Sequence, residues 1–477
     1  MATPHIRLAL ILLSIPALSP VVSPAQSANS GNAGSAQKPS GEWLTWGYDQ
    51  QRTGWNKGET RLGKDNASRL GLKWQAQLST KPEEVTLATL TSPLVVENVN
   101  TTQGAKTLVF IVGADDTVFA IDSADGKVVW QKKFANNIPP KQPATWLCSN
   151  TQNATPVIDK DTGIIYLTTS DGKLRGLSIS NGEERFTPTD FVTPFARNWS
   201  LNLIDGVIYT PVARGCGGAI ANFAAMDIKD PAHPHAHYYT STGRPAGAWG
   251  RGGVVLGPKG FYTQTADGPY DPAAGKFGET VMVLSLKDLR LLDSFTPSNW
   301  PYLNTKDLDL GSAGPVVFPF QKWTLVASAA KEGVIYLLDA NNLGGADHHT
   351  PLYQGPRWGN DEVQLWGRGL WGAMTTYEDP QGRRWLYMPM WGPPAKDAPP
   401  FQLTYGYAPE GSIMAFQIGV ENEKPVLIPA WRSRDMHVPD PPVVANGVVY
   451  AIQTGENTRQ SPGGGGGQGQ GGRGGAG

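Results

Sequence analysis

Charge is scarce in this chain. Lys, Arg, Asp and Glu make up 17% of 477 residues and the formal net charge is −1. No basic field is available to hold a phosphate backbone, which excludes nucleic acid as a partner. Long apolar runs are scarcer still. Leu8 to Leu18 is apolar, but it falls well short of the ~20 residues that span a bilayer, and no later stretch approaches that length. Cysteine occurs only twice, at Cys148 and Cys216. There is no Gly-x-Ser-x-Gly elbow, no His-Glu-x-x-His zinc helix and no Cys-x-x-Cys-His haem attachment. These absences remove the signatures of a serine hydrolase, a zinc protease and a fused c-type cytochrome.

Glycine, proline and tryptophan are plentiful, with Gly 57, Pro 39 and Trp 16. Such turn-rich, aromatic-rich chains favour many short strands over long helices. At the N-terminus, Arg7 precedes the apolar run and Ser23-Pro24-Ala25 offers small residues for cleavage. Residues 1–25 therefore read as a signal peptide and 26–40 as a flexible Ser/Gly/Ala/Gln-rich leader. No cysteine follows the apolar run to carry a lipid anchor. The expected location is periplasmic or extracellular. There, two cysteines form a disulfide or remain as two buried thiols. Residues 459–477 are a Gly-rich tail without side chains to pack.

A repeat organises residues 41–458. "GADDTVFAIDSADGKVVW" aligns without gaps on "TSDGKLRGLSISNGEERF", so that Gly126 falls on Gly182 and Trp130 on Phe186. Apolar positions alternate as in half-buried strands, and Asp-Gly and Asn-Gly supply tight hairpin turns. Each copy follows a short apolar run: "TSPLVV", "ATPVI", "WSLNLI", "GGVVLG", "AGPVVF", "AMTTYE" and "PPVVANG". Seven such runs, roughly 58 residues apart, each leading a four-stranded unit, predict an all-β fold. The fold expected is a β-propeller of seven to eight blades. "GLKWQAQL" at residues 71–78 reads as a fourth strand bearing Trp74. The C-terminal unit has two strands and then stops, so the last blade is expected to be incomplete.

"VFAIDSADGKVVW" and "VIYLLDANNLGG" resemble the PQQ (pyrroloquinoline quinone) repeats of quinoprotein dehydrogenases and of related non-enzymatic propellers. "WLTWGYDQQRTGWNKGE" followed by "LGLKWQAQL" is similar to the opening segment of that superfamily. For an alcohol-oxidising member the resemblance implies PQQ stacked in the central tunnel and a Ca²⁺ ion that polarises the quinone carbonyl. It places Trp249 of "GAWGRGG" as the stacking floor and Asp267 of "TADG" as a metal ligand. Glu279 of "FGET" takes the position of the catalytic base and second metal ligand, and Lys331 of "AAKEG" the quinone contact. Asp309 and Arg197 join the cofactor-binding set.

The chain also departs from that pattern. Ile220 in "RGCGGAI" stands where a metal-binding Glu belongs, and an isoleucine offers Ca²⁺ no oxygen. There is no Cys-Cys pair, and no haem is expected. Each residue singled out also has a structural role open to it. Trp249 packs a blade, Asp267 and Lys331 occupy turns, Glu279 precedes a strand, and Asp307 and Asp309 cap one. His348-His349 lie in a loop without a third ligand.

In a propeller, the link leading into a blade and the link between its second and third strands open on one face. Cys148 and Cys216 occupy such links in adjacent units, so a disulfide between them is expected to staple blades two and three. The same face collects Trp146, Arg197, Asn198, Trp199, Trp249, Arg251, Asp309, Trp366, Arg368, Trp371 and His437. Aromatics mixed with Arg and Asn suit a planar or sugar-like ligand, or a protein. The reading is an exported, monomeric propeller that binds a small molecule or protein at its loop-rich face without catalysis. The alternative is a PQQ-dependent dehydrogenase with an altered Ca²⁺ site.

Overall fold

Each of the seven apolar runs becomes the first strand of a separate blade in the computed structural model. The structure describes residues 11–12, 41–80, 91–145, 147–151, 154–213, 215–230, 232–241, 245–360 and 368–454. The leader and tail segments read from the sequence, 1–40 and 459–477, lie outside these residues apart from Ile11–Leu12.

Seven blades surround a central axis, and only 6% of the chain is helical. Blade one is Leu94–Thr101, Gly104–Val112, Thr117–Asp122 and Val128–Lys133. The turn signals Asp115-Asp116 and Asp125-Gly126 thus precede its third and fourth strands. Blade two runs Val157–Asp159, Ile164–Thr168, Lys173–Ser178 and Thr189–Asp190, and blade three Asn202–Ile204, Val207–Ala213, Asn222–Asp227 and His235–Tyr239. Blade four is Val255–Leu256, Phe261–Gln264, Val281–Leu284 and Leu291–Phe295. Blade five is Val316–Phe320, Trp323–Ala329, Val334–Asp339 and Tyr353–Arg357. Blade six is Thr375–Glu378, Arg384–Trp391, Gly411–Glu421 and Lys424–Arg432.

Blade seven holds Val443–Ala445 and Val448–Ala451, with the backbone of Ile11–Leu12 paired antiparallel to the latter. The segment expected as a fourth strand, residues 71–78, forms no strand. No partner strand lies beside it, among the described residues, to fix an extended ladder. Its tryptophan is docked all the same. Trp74 packs over Gly126 and its indole N–H donates to Ser123 O at 2.9 Å. Trp130 repeats that contact one blade on, over Gly182 with a 3.0 Å bond to Ile179 O.

The core lies between blades, as alternation on two-sided sheets requires. One cluster joins blades one and two (Leu94, Phe110, Ile165, Leu177), and the largest joins five and six (Phe318, Leu337, Met388, Phe416). Similar clusters fill the two–three, three–four, four–five and six–seven contacts.

Residues 43–56 run through the hub and bond to every blade. Trp43 exchanges two 2.8 Å backbone bonds with Val95, and Leu44 O accepts from Ile158 N–H. Gln50 O accepts from Leu256 N–H and from Asn202 Nδ2, Thr53 O from Thr376 N–H and Gly54 O from Val444 N–H. Gln51 O accepts from Val317 N–H in blade five at 3.5 Å, and Trp55–Asn56 pair in parallel with Val444–Ala445. Arg52, 1% exposed, donates to Gly252 O, Leu201 O, Trp46 O and Thr45 Oγ1.

Candidate functional site

The loop-rich face is built from the links that lead into blades and the links between their second and third strands. Cys148 and Cys216 come from two such links and are joined in a disulfide, with Cα atoms 5.3 Å apart. Blades two and three are stapled as the spacing anticipates. Arg197, beside the disulfide, donates from Nη1 to Leu147 O at 2.5 Å and lies 4.9 Å over the Trp199 ring. Trp199 belongs to a small cluster with Ala213, Trp249 and Ala266, against which Trp371 packs.

Trp249, Glu279, Asp309 and Lys331 converge here from four separate links. Lys331 sits in the turn between the second and third strands of blade five, and Asp309 in the short turn ahead of that blade. Their side chains pair at 2.8 Å, with Lys331 4% and Asp309 1% exposed. Lys331 Nζ also donates to Asp307 O at 3.1 Å. Its ammonium lies 5.1 Å from the Trp249 ring and 5.2 Å from the Trp371 ring, a desolvated cation–π contact on two sides. Trp371 meets Trp249 edge-on at 4.8 Å and stacks on Trp391 at 5.0 Å, nearly parallel.

Glu279 is fully buried, which rules out a solvated strand start. Its Oε2 accepts from Leu310 N–H at 2.6 Å, while Oε1 has no hydrogen-bond partner among the described residues. Burial, and then the neighbouring charge of Asp309, push its carboxyl well above the usual carboxylate range. It also holds a left-handed backbone, φ 51°. Asp267 is exposed, and its backbone N–H donates to Asp309 Oδ1 at 3.3 Å. Trp249 N–H donates to Gly311 O, which ties the tryptophan loop to the Asp309 turn.

Other residues expected on this face have partners of their own. Asn198 Nδ2 donates inward to Thr168 and Thr210 hydroxyls. Arg251 pairs with Asp440 at 2.9 Å and His437 lies 3.5 Å from Glu410. Arg368 O accepts from the Trp371 indole N–H. Trp146 and Trp366 lie outside the described residues. His348 Nδ1 donates to Ser294 O at 3.0 Å and lies 3.5 Å from Asp293 Oδ1, and His349 Nδ1 donates to Thr296 O at 2.7 Å. Sequence reasoning missed Trp391, the last residue of the strand Arg384–Trp391, which stacks on Trp371. It also missed Asn360, whose Nδ2 donates to Lys331 O.

The residues present do not fit Ca²⁺, which takes six to eight oxygens. Ile220 is 43% exposed at the outer side of blade three and offers none. Asp309 is already paired with Lys331. Among the described residues no group of three or more His, Cys, Asp or Glu side chains could hold a metal ion.

A family profile described as outer membrane protein assembly factor BamB matches residues 66–189, the Trp74 segment and the first two blades. A Quinohemoprotein alcohol dehydrogenase ADH-IIG of Pseudomonas putida is 25% identical over 186 residues, 39% of this chain. That match spans only 23% of the relative's length. A europium-containing methanol dehydrogenase superposes with a TM-score of 0.56 at 15% identity, over 86% of this chain and 81% of its own. The quinohemoprotein alcohol dehydrogenase ADHIIG from Pseudomonas putida HK5 superposes at 0.54 and 13% identity, over 88% and 72%. The chain is a PQQ-repeat β-propeller. Enzymes and non-enzymes share this propeller, so its activity rests on the site and not on the fold. Among its described residues no helix is long and apolar enough to cross a membrane.

Proposed function

We propose that this propeller is an exported, monomeric binding scaffold. It offers the face bearing Arg197, Trp199, Trp371 and the disulfide to a small molecule or a protein, and it performs no alcohol oxidation. One observation carries this reading. The groups a quinone and its metal would need are already engaged with one another, Lys331 with Asp309 at 2.8 Å and both tryptophan rings with the Lys331 ammonium. Arg197 and Trp199 are buried, at 2% and 4% exposure, and brace this face from beneath, while the half-buried Trp371, Arg251 and Arg368 reach its surface, the Trp/Arg mixture a recognition face uses. The disulfide supports a periplasmic or extracellular location.

The dehydrogenase reading draws support from the convergence of Trp249, Asp267, Glu279, Asp309 and Lys331 on one side of the hub. Reconstitution of the purified protein with PQQ and CaCl₂ separates the two. Absorbance would follow cofactor uptake, and dye reduction would follow oxidation of added alcohols and sugars. The scaffold reading expects neither saturable uptake nor turnover. Saturable uptake with alcohol-dependent dye reduction would overturn it.

A further inference from the structure

The outer strand of blade three reads His235-Ala-His237-Tyr-Tyr239. Alternation turns Ala236 and Tyr238 toward blade four, beside Phe223 and Ala225 of their own sheet and in one apolar cluster with Phe261, Met282 and Leu284. His235, His237 and Tyr239 therefore point the other way, into a groove of about 380 Å³ between blades two and three. The opposite wall is Asp190, Phe191, Val192 and Thr193.

The ring of His237 is oriented from behind. Its Nδ1 lies 3.0 Å from Asn222 Oδ1, and Asn222 Nδ2 donates to Ile220 O at 2.7 Å. A carbonyl can only accept, so the amide nitrogen of Asn222 must face Ile220 and its oxygen must face His237. Nδ1 of His237 then carries the proton, and Nε2 is left with its lone pair. Histidines that bind metals are commonly held by such a bond from the other ring nitrogen. Tyr239 stacks on the same ring, 25° from parallel with centroids 6.0 Å apart. His235 is exposed, with its ring centroid 5.5 Å from that of His237. Two nitrogens bound to one ion at Zn–N lengths of about 2.0–2.1 Å lie about 3.4 Å apart, which rotation of the exposed ring can reach.

We propose that His235 and His237 form a two-histidine chelate for a divalent transition-metal ion of the Zn²⁺/Cu²⁺ class in the groove between blades two and three. Imidazole nitrogens select this class over the hard cations Ca²⁺ and Mg²⁺. The ion takes two protein nitrogens and keeps its other positions open to water or to an incoming ligand. This site is on the flank of the ring and does not depend on what the tunnel face binds.

The test uses untagged full-length protein stripped with a chelator and titrated calorimetrically with CuSO₄ or ZnCl₂. Electron paramagnetic resonance would count the nitrogens on Cu²⁺. We expect saturable one-to-one binding, with two imidazoles on the copper, lost in the double variant His235→Ala/His237→Ala. Asn222→Leu should weaken binding by about 10–100-fold while circular dichroism stays unchanged. Retention of the binding stoichiometry and affinity in the double variant, or no saturable binding of either metal by the native chain, would overturn the proposal.

Discussion

At the scale of single residues, buried charge dominates this protein. Lys331 and Asp309 are a nearly dry pair, so removing one member strands the other. Lys331→Met should lower the unfolding free energy by about 3–5 kcal/mol, and Lys331→Met/Asp309→Leu should recover much of the loss. Chemical denaturation of both variants measures this. Asp116 is a second case. It accepts from the Ser170 N–H at 3.0 Å and from the Ser170 hydroxyl, and burial pushes its pKa up to about 6. A carboxyl with a raised folded-state pKa binds its proton more tightly folded than unfolded. Its stabilising contribution is complete below the unfolded pKa of about 3.8 and is lost as pH rises to about 6. Glu279 acts in the same direction. Asp116→Asn should therefore match the native protein near pH 4 and exceed it by about 2–3 kcal/mol at pH 7, read from melting curves across that range. Trp249, Glu279, Asp309 and Lys331, which converge here, could each be picked out in the sequence, whereas Trp391 and Asn360 could not. Their pairing was not. Lys331 and Asp309 come from different turns, and only the curvature of the ring decides which turns meet. Glu279 showed no sign of full burial because its neighbours Gly278 and Thr280 look like any turn.

At the scale of elements, what repeats is a contact as well as a strand pattern. An aromatic from the preceding segment covers a turn glycine of a blade, as Trp74 does on Gly126 and Trp130 of blade one on Gly182 of blade two. Gly182 has φ 74°, and a Cβ there would lie 2.7 Å from the Trp130 ring. Gly182→Val meets both a backbone and a packing penalty. It should cost about 2–3 kcal/mol, and thermal unfolding would show it. The disulfide is the other link between elements. It closes a long loop, with a sequence separation of 68, so loop-closure entropy alone suggests about 4 kcal/mol. Cys148→Ala/Cys216→Ala should lose up to that amount, with blades two and three the first to gain amide hydrogen exchange. The strands were legible because alternation and Asp-Gly turns are local signals. The 71–78 stretch carries the same aromatic signal but forms no ladder, since a strand needs a neighbour that its own sequence cannot provide. Metal chemistry at His235 and His237 went unseen for a related reason. The i, i+2 spacing is visible in the sequence, but the Asn222 bond that turns one ring into a ligand comes from an adjacent strand.

At the scale of the molecule, stability depends on the hub. Arg52 satisfies carbonyls from blades three and four as well as from its own segment, and burial draws its guanidinium down to about 9. Arg52→Met removes these donors and should cost on the order of 3–5 kcal/mol. We expect it to broaden the melting transition too, because it loosens contacts shared by several blades. Differential scanning calorimetry distinguishes a simple shift from a loss of cooperativity. The hub also ties the earliest described part of the fold to the latest. Gly54 cannot find its partner until Val444 exists, and Trp43 and Thr53 complete their bonds with sheets made at very different moments of translation. Blades can assemble in order as they leave the ribosome, each on the one before. The segment that unites them must wait through the whole of synthesis with its apolar side chains uncovered. Assembly therefore ends at residues 43–56, and until then the nascent chain keeps apolar surface exposed to aggregation.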